Sequence, residues 1–213
     1  MGTYNKGILG PFSGKVGTVI GSSWRGKDYM RSLPKKGNRT PTATQLLQRQ
    51  RFLTVTEFLT PFHPVLRKFY GSNSGEIPRI NQALSYHMKE AVNYVAPNHE
   101  MVYNKVQISL GELPPVQNPS VSSPEANTIK YGWDDNSGEG AAKATDKLVV
   151  VVYAPSANLY FYRLAAATRS DATVSITLPA YFSGLEVQSW ITFAADDDNS
   201  CATSSYMSPI TIG

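Results

Sequence analysis

The sequence predicts a two-part chain, an α+β leading region followed by an all-β sandwich. Three observations carry this. Gly-rich alternation in the first forty residues gives way to two amphipathic helical stripes, and about seven strand-like runs then recur at sandwich spacing. The 213 residues include 14 prolines, 16 glycines and 12 tyrosines. That composition suits short elements, many turns and pleated, half-buried surfaces.

Residues 1–14, with Tyr4, Ile8, Leu9 and Phe12, read as an extended arm. Lys15 to Leu33 reads as a β-hairpin with Val16, Thr18, Ile20, Ser22 and Trp24 on one face and Arg25-Gly26 as a two-residue turn. Gly17 and Gly21 leave the second face flat around Val19, a pattern that permits close approach by another backbone or ring. A hairpin this short needs something to pack against. Pro34 to Asn38 is a basic turn, and Thr40-Pro41 is a helix start with a hydroxyl before a first-turn proline. Leu46, Leu47, Phe52, Leu53, Val55, Phe58 and Leu59 fill that helix, which Pro61 ends. A connector, Gly71 to Gly75, leads to a second helix from Pro78 whose stripe runs from Ile80 to Val95 and stops at Pro97.

Val102 to Leu110 alternates like a strand, and Leu113 to Pro119 reads as a stiff proline-rich linker. The expected division is therefore 1–113 and 114–213. The second part carries runs at Pro119–Ser123, Thr128–Trp133, Lys147–Ala154, Leu159–Leu164, Ala172–Leu178, Glu186–Ala194 and Ser205–Ile212.

Pro119 ahead of the first run, Trp133 late in the second, the Val149–Tyr153 run and Trp190 after Gly184-Leu185 stand in an order that resembles an immunoglobulin-like fibronectin type III domain. The usual tyrosine of the sixth strand is replaced by Trp190. In the front half, Gly14-Lys15-Val16-Gly17, Trp24-Arg25-Gly26-Lys27, Arg31-Ser32-Leu33-Pro34 and Arg39-Thr40-Pro41 through Arg51-Phe52 resemble an uncharacterised family from Bacteroidota. A looser similarity links this layout to phage structural modules. These resemblances imply a particle or filament component and bring no catalytic residue with them.

Charge is segregated along the chain. Met1 to Tyr70 holds twelve Lys/Arg against Asp28 and Glu57, whereas the remainder holds eight against fourteen acids. A basic leading segment seeks nucleic acid, an acidic surface or an acidic patch on a sister copy. Its candidate contacts are Arg25, Lys27, Arg31, Lys35, Lys36 and Arg39, with Trp24, Tyr29 and Phe12 as aromatic anchors. The opposing surface would be Asp134, Asp135 and Glu139 after the second sandwich strand and Asp196, Asp197 and Asp198 after the sixth. In a sandwich those two loops share one end, so they would form an acidic pole that docks a basic partner or binds calcium. Solvated turns are the plain alternative.

Nothing in the sequence assembles catalysis. Leu9 to Val16 only resembles a phosphate loop, because Leu9 stands where glycine is needed and Val16 where a hydroxyl is needed. His63, His87 and His99 lack metal-ligand spacing and read as surface or packing residues. Cys201, the single cysteine, reads as a resting thiol in a polar loop. No secretory leader or membrane-length apolar run is visible, so synthesis in the cytoplasm, with virion or extracellular assembly possible afterwards, is the expectation. The functional expectation is a non-enzymatic subunit of a virion, tail or filament that associates with itself and needs no cofactor. The alternatives are a nucleic-acid-binding or packaging protein using the same cations, and a carbohydrate- or receptor-binding adhesin that stacks ligands on Trp190, Tyr160 or Tyr162.

Overall fold

The computed structural model describes residues 3–4, 10–24, 26–35, 37, 40–72 and 77–213. The chain divides into two compact units, Met1–Ala43 and Thr44–Gly213.

The first unit is an antiparallel sheet in chain order, β1 (Thr3–Tyr4), β2 (Phe12–Val16), β3 (Val19–Trp24) and β4 (Lys27–Ser32). The strand expected to run unbroken through Gly17 is thus two strands. Gly17 has φ 58°, which glycine adopts without strain, and the chain reverses through Gly17-Thr18 so that Val16 pairs with Val19. The second reversal falls where expected, with Trp24 opposite Lys27. The close approach expected of the glycines occurs at Gly21, where a Cβ would collide with the Phe12 carbonyl.

The second unit begins one residue into α1 (Ala43–Leu59), which buries Val55, Phe58 and Leu59. Leu46, Leu47, Phe52 and Leu53 stay exposed, contrary to the expectation of a uniformly filled helix. The helix stops at Leu59, just ahead of Pro61, as expected. A 3-10 turn, Thr60–Phe62, leads into α2 (His63–Phe69), where proline again sits in the tolerant first turn. Next, α3 (Arg79–Glu90) starts after Pro78 as predicted but stops early. Its expected last turn is instead β5 (Val92–Val95), paired with β6 (Asn98–Met101), a change that suits the β-branched Val92 and Val95. No ladder forms over 102–110. A 3-10 turn at Tyr103–Lys105 precedes an extended segment that buries Val106 and Ile108 and leaves Leu110 partly exposed. Its amides are satisfied individually, Ile108 N–H by the Ser204 hydroxyl at 3.0 Å and Leu110 N–H by the Phe69 carbonyl at 3.0 Å.

The seven expected sandwich strands are all present: β7 (Gln117–Ser122), β8 (Thr128–Asp134), β9 (Lys147–Ala154), β10 (Leu159–Arg163), β11 (Thr173–Thr177), β12 (Glu186–Ala194) and β13 (Ser205–Thr211). They form sheets of order β11-β8-β7 and β10-β9-β12-β13, an immunoglobulin/fibronectin type III-like sandwich. Its interior packs Ile129, Tyr131 and Trp133 against Leu148, Val150, Val152, Ile191 and Phe193. The other face of β9 and β12 is also buried, with Val149, Val151 and Trp190 meeting Val55, Phe58, Phe62, Leu66 and Phe69 of the helices. Leu113 and Val116, expected in a linker, are buried in the sandwich core. Position 113 therefore falls inside the second unit. Among the described residues, no helix is long and apolar enough to cross a membrane.

Two buried polar groups anchor this unit. Arg169 is fully buried and pairs with Asp146 at 3.1 Å. It also donates to the Pro114 carbonyl at 3.2 Å and to Asn136, and stacks over Phe193 at 3.9 Å. Its own carbonyl accepts from the Trp133 indole at 2.8 Å. His87, on α3, is equally buried. Its Nε2 accepts from Gln107 N–H at 3.2 Å, so Nδ1 carries the proton donated to the Ala83 carbonyl at 2.7 Å. Burial pushes the imidazole pKa down to about 4, against a smaller opposing effect of that Ala83 bond.

Removing one member of a buried pair strands the other. Arg169→Met is expected to destabilise the chain by about 3–5 kcal/mol, and Arg169→Met with Asp146→Leu by clearly less, read from urea denaturation midpoints. For His87 the neutral ring belongs to the folded state. Its contribution is complete above pH 6.5, the unfolded value, and is lost as pH falls toward about 4. Stability should drop by on the order of 3 kcal/mol across that window, and His87→Gln should flatten this part of the pH profile.

Candidate functional site

Strand register sorts the amino-terminal sheet into two unlike faces. Alternation from the pairs Lys15–Ile20, Ile20–Arg31, Ser22–Tyr29 and Trp24–Lys27 places Lys15, Lys27 and Arg31 on one face with Ile20, Trp24 and Tyr29. Phe12, Val16, Val19 and Met30 lie on the other. The aromatic anchors expected together are therefore divided, because the turn at Gly17 puts Phe12 on the face away from Trp24. Exposed side chains stand on both faces. Trp24 is 62% exposed and Met30 71%, and Gly21 is the only described residue of this unit that is buried. Lys35 is exposed beyond β4, while Arg25, Lys36 and Arg39 lie outside the described residues. No described side chain within the unit forms an ion pair with Lys15, Lys27, Arg31 or Lys35; the described ion pairs all belong to the second unit.

The acids expected to oppose these cations are engaged within their own unit. Asp134 accepts from the Asn118 amide at 2.6 Å, and Glu139 from the Gln117 amide at 2.7 Å. Asp135 accepts from Ser137 N–H at 2.9 Å, and that bond holds its pKa below the usual carboxylate value. Asp196 pairs with Lys147 at 2.9 Å and Asp198 with Lys68 at 2.6 Å. Asp197 closes a turn on Asn199, whose N–H lies 3.1 Å away and keeps the carboxyl pKa low. The open acidic pole is thus a set of locally satisfied loops. Its key partners, Lys68 and Lys147, come from distant segments that spacing in the sequence does not connect. Among the described residues no three His, Cys, Asp or Glu side chains group as metal ligands.

Trp190 is fully buried and donates its indole N–H to the Tyr103 carbonyl at 3.2 Å, so it offers no stacking platform. Tyr160 and Tyr162 are 46% and 37% exposed. His63 and His99 are partly buried. Cys201 is buried rather than set in an open loop. Its thiol donates to the Phe69 carbonyl at 2.9 Å, and burial raises its pKa despite the pull of Arg79.

A different surface of the second unit offers free carboxylates. A groove of about 840 Å³ is walled by Glu57 and Phe58 of α1, Glu100 of β6, Tyr103, Tyr153 of β9 and Tyr160 of β10. Phe58 meets Tyr153 edge-on, with ring centres 5.3 Å apart, and Tyr103 lies 5.9 Å from Tyr153. The Tyr153 hydroxyl donates to Asn158 at 3.1 Å. Burial first, then the neighbouring Tyr153 and Glu100, push the Tyr103 phenol up to about 12, so it stays a neutral donor. Neither Glu57 nor Glu100 takes part in an ion pair among the described residues, and no Lys or Arg lines the groove. Of these residues only Tyr160 was a candidate from sequence. The groove draws on three distant stretches of chain, 54–61, 99–103 and 153–160, and no local motif announces it.

A family model described as "Family of unknown function (DUF6266)" matches residues 11–208. No curated protein matches the chain. Among solved structures, the chain is similar to the fn3 domain of human collagen alpha-1(XX) chain, with TM-score 0.34 and 10% identity over 47% of this chain and 85% of that one. It is similar to titin kinase with its flanking domains at TM-score 0.35 and 14% identity, over 49% of this chain and 18% of that one. It is also similar to the fn3 domain of human contactin 1, at TM-score 0.26 and 13% identity, over 47% and 73%.

Proposed function

The chain belongs to the DUF6266 family of unknown function, and on that footing we propose that it is a non-enzymatic structural subunit that assembles with copies of itself, as in a virion, tail or filament. The observation that carries this reading is the amino-terminal sheet. Exposed apolar side chains stand on both of its faces, and its only buried described residue is a glycine. A lone small sheet has little stability of its own, so one face at least calls for a cover.

Charge favours a sister copy as that cover. Met1–Ala43 holds eight Lys/Arg against Asp28 alone, a net of +7, while Thr44–Gly213 holds twelve against fifteen acids, a net of −3. A contact between unlike patches on successive copies is heterologous and builds rings or open filaments. Nucleic-acid binding is the second reading. It is favoured by the placing of Lys15, Lys27 and Arg31 beside Trp24 and Tyr29, which combines phosphate contact with a stacking platform.

Sedimentation velocity of the full chain at low and high salt tests the assembly. The expected result is concentration-dependent association that weakens with salt, and Lys27→Glu with Arg31→Glu should weaken it about tenfold or more. A gel shift on single-stranded and duplex DNA, lost in the same variant while association persists, would transfer the cationic face to the second reading.

A further inference from the structure

Building on the assembly reading, we propose that the groove between Glu57, Glu100, Tyr103, Tyr153 and Tyr160 is the acceptor on one copy for the cationic tip of the amino-terminal sheet of the next.

The groove has the composition of a cation receptor. Aromatic rings attract a cation over their faces, and unpaired carboxylates at the rim add a charge-assisted contact. Phe58, Tyr103 and Tyr153 form one set of mutually packed rings, with centre-to-centre distances of 5.3, 5.9 and 6.2 Å. Tyr160 is half exposed at the margin, where it packs on Phe62 at 6.2 Å. Both glutamates are exposed, and no Lys or Arg of the wall competes for them, His99 being the one basic ring that lines the groove. The acids of the sandwich loops, Asp134, Asp135 and Glu139 and Asp196 to Asp198, are already held by amides, backbone N–H groups or lysines.

The donor has the matching shape and charge. Trp24 and Lys27 face each other at the tip of the β3–β4 hairpin, with Tyr29 and Arg31 behind them on the same face. A hairpin tip is convex, two strands about 5 Å apart, and so suits a cleft rather than a flat surface. An arginine adds planar stacking on the tyrosines, which lysine does not. The donor cations lie in one unit and the acceptor carboxylates in the other, so each copy carries one of each and the contact propagates.

The test uses the full chain and measures its self-association by sedimentation velocity across a salt series. Glu57→Gln with Glu100→Gln is expected to weaken association about tenfold or more and to flatten its salt dependence. Both positions are exposed, so the unfolding midpoint serves as the control that the variant remains folded. Glu57→Lys with Glu100→Lys should abolish association, as should Lys27→Glu with Arg31→Glu, and mixing the two variants should restore an assembly of alternating copies, because every interface then joins opposite charges. Should the wild type associate while all groove variants associate equally well, the groove assignment falls and the assembly reading stands. Should the wild type remain monomeric at every salt and concentration, the assembly reading falls and takes this one with it.

Discussion

The second unit is organised by the two-sided burial of β9 and β12. A strand covered on one face alternates apolar and polar residues, but Leu148 to Val152 is apolar at every position. Even-numbered residues of that run fill the sandwich, and Val149 and Val151 meet the helices. Everything else in the unit follows from supplying both covers. The three-stranded sheet provides one, and α1 and α2, braced by α3, provide the other.

Polar groups then fix the register of these layers. Arg169 gathers the segment before β7 and the β8–β9 connection around its guanidinium and the end of β8 onto its own carbonyl, while the apolar run makes no such distinctions. His87 does a comparable task between α3 and the extended segment at Gln107. Buried hydrogen-bonded groups of this kind are stabilising only in the arrangement that satisfies them, which favours one packing over near alternatives.

Much of this was legible from residue order. The bounds of β9 and β12 agree with their expected spans, since a run of β-branched and aromatic residues between turn signals admits few other readings. Misreadings arose where one pattern served two structures. Gly17 could flatten a strand or turn it, and its positive φ makes it a turn. Val92 to Val95 continued the spacing of α3 yet pairs as a strand. The unbroken apolar run of β9 was itself the signal that helices cover the sandwich, and it argued against a linker at Leu113. Of the candidate site, the cationic face was visible as residue types, though not its separation from Phe12. The groove with Glu57 and Glu100 was not visible, because its walls meet only after the helices settle on the sheet.

A β-sandwich that stands alone turns polar side chains outward from both of its sheets. This one is not sealed. Cut free at the proline-rich segment, it would turn a strip containing Val149, Val151 and Trp190 toward water and lose Leu113, whose side chain belongs to its core. The helices act as a permanent lid, so inheritance, duplication or exchange of this module must carry its preceding seventy residues along.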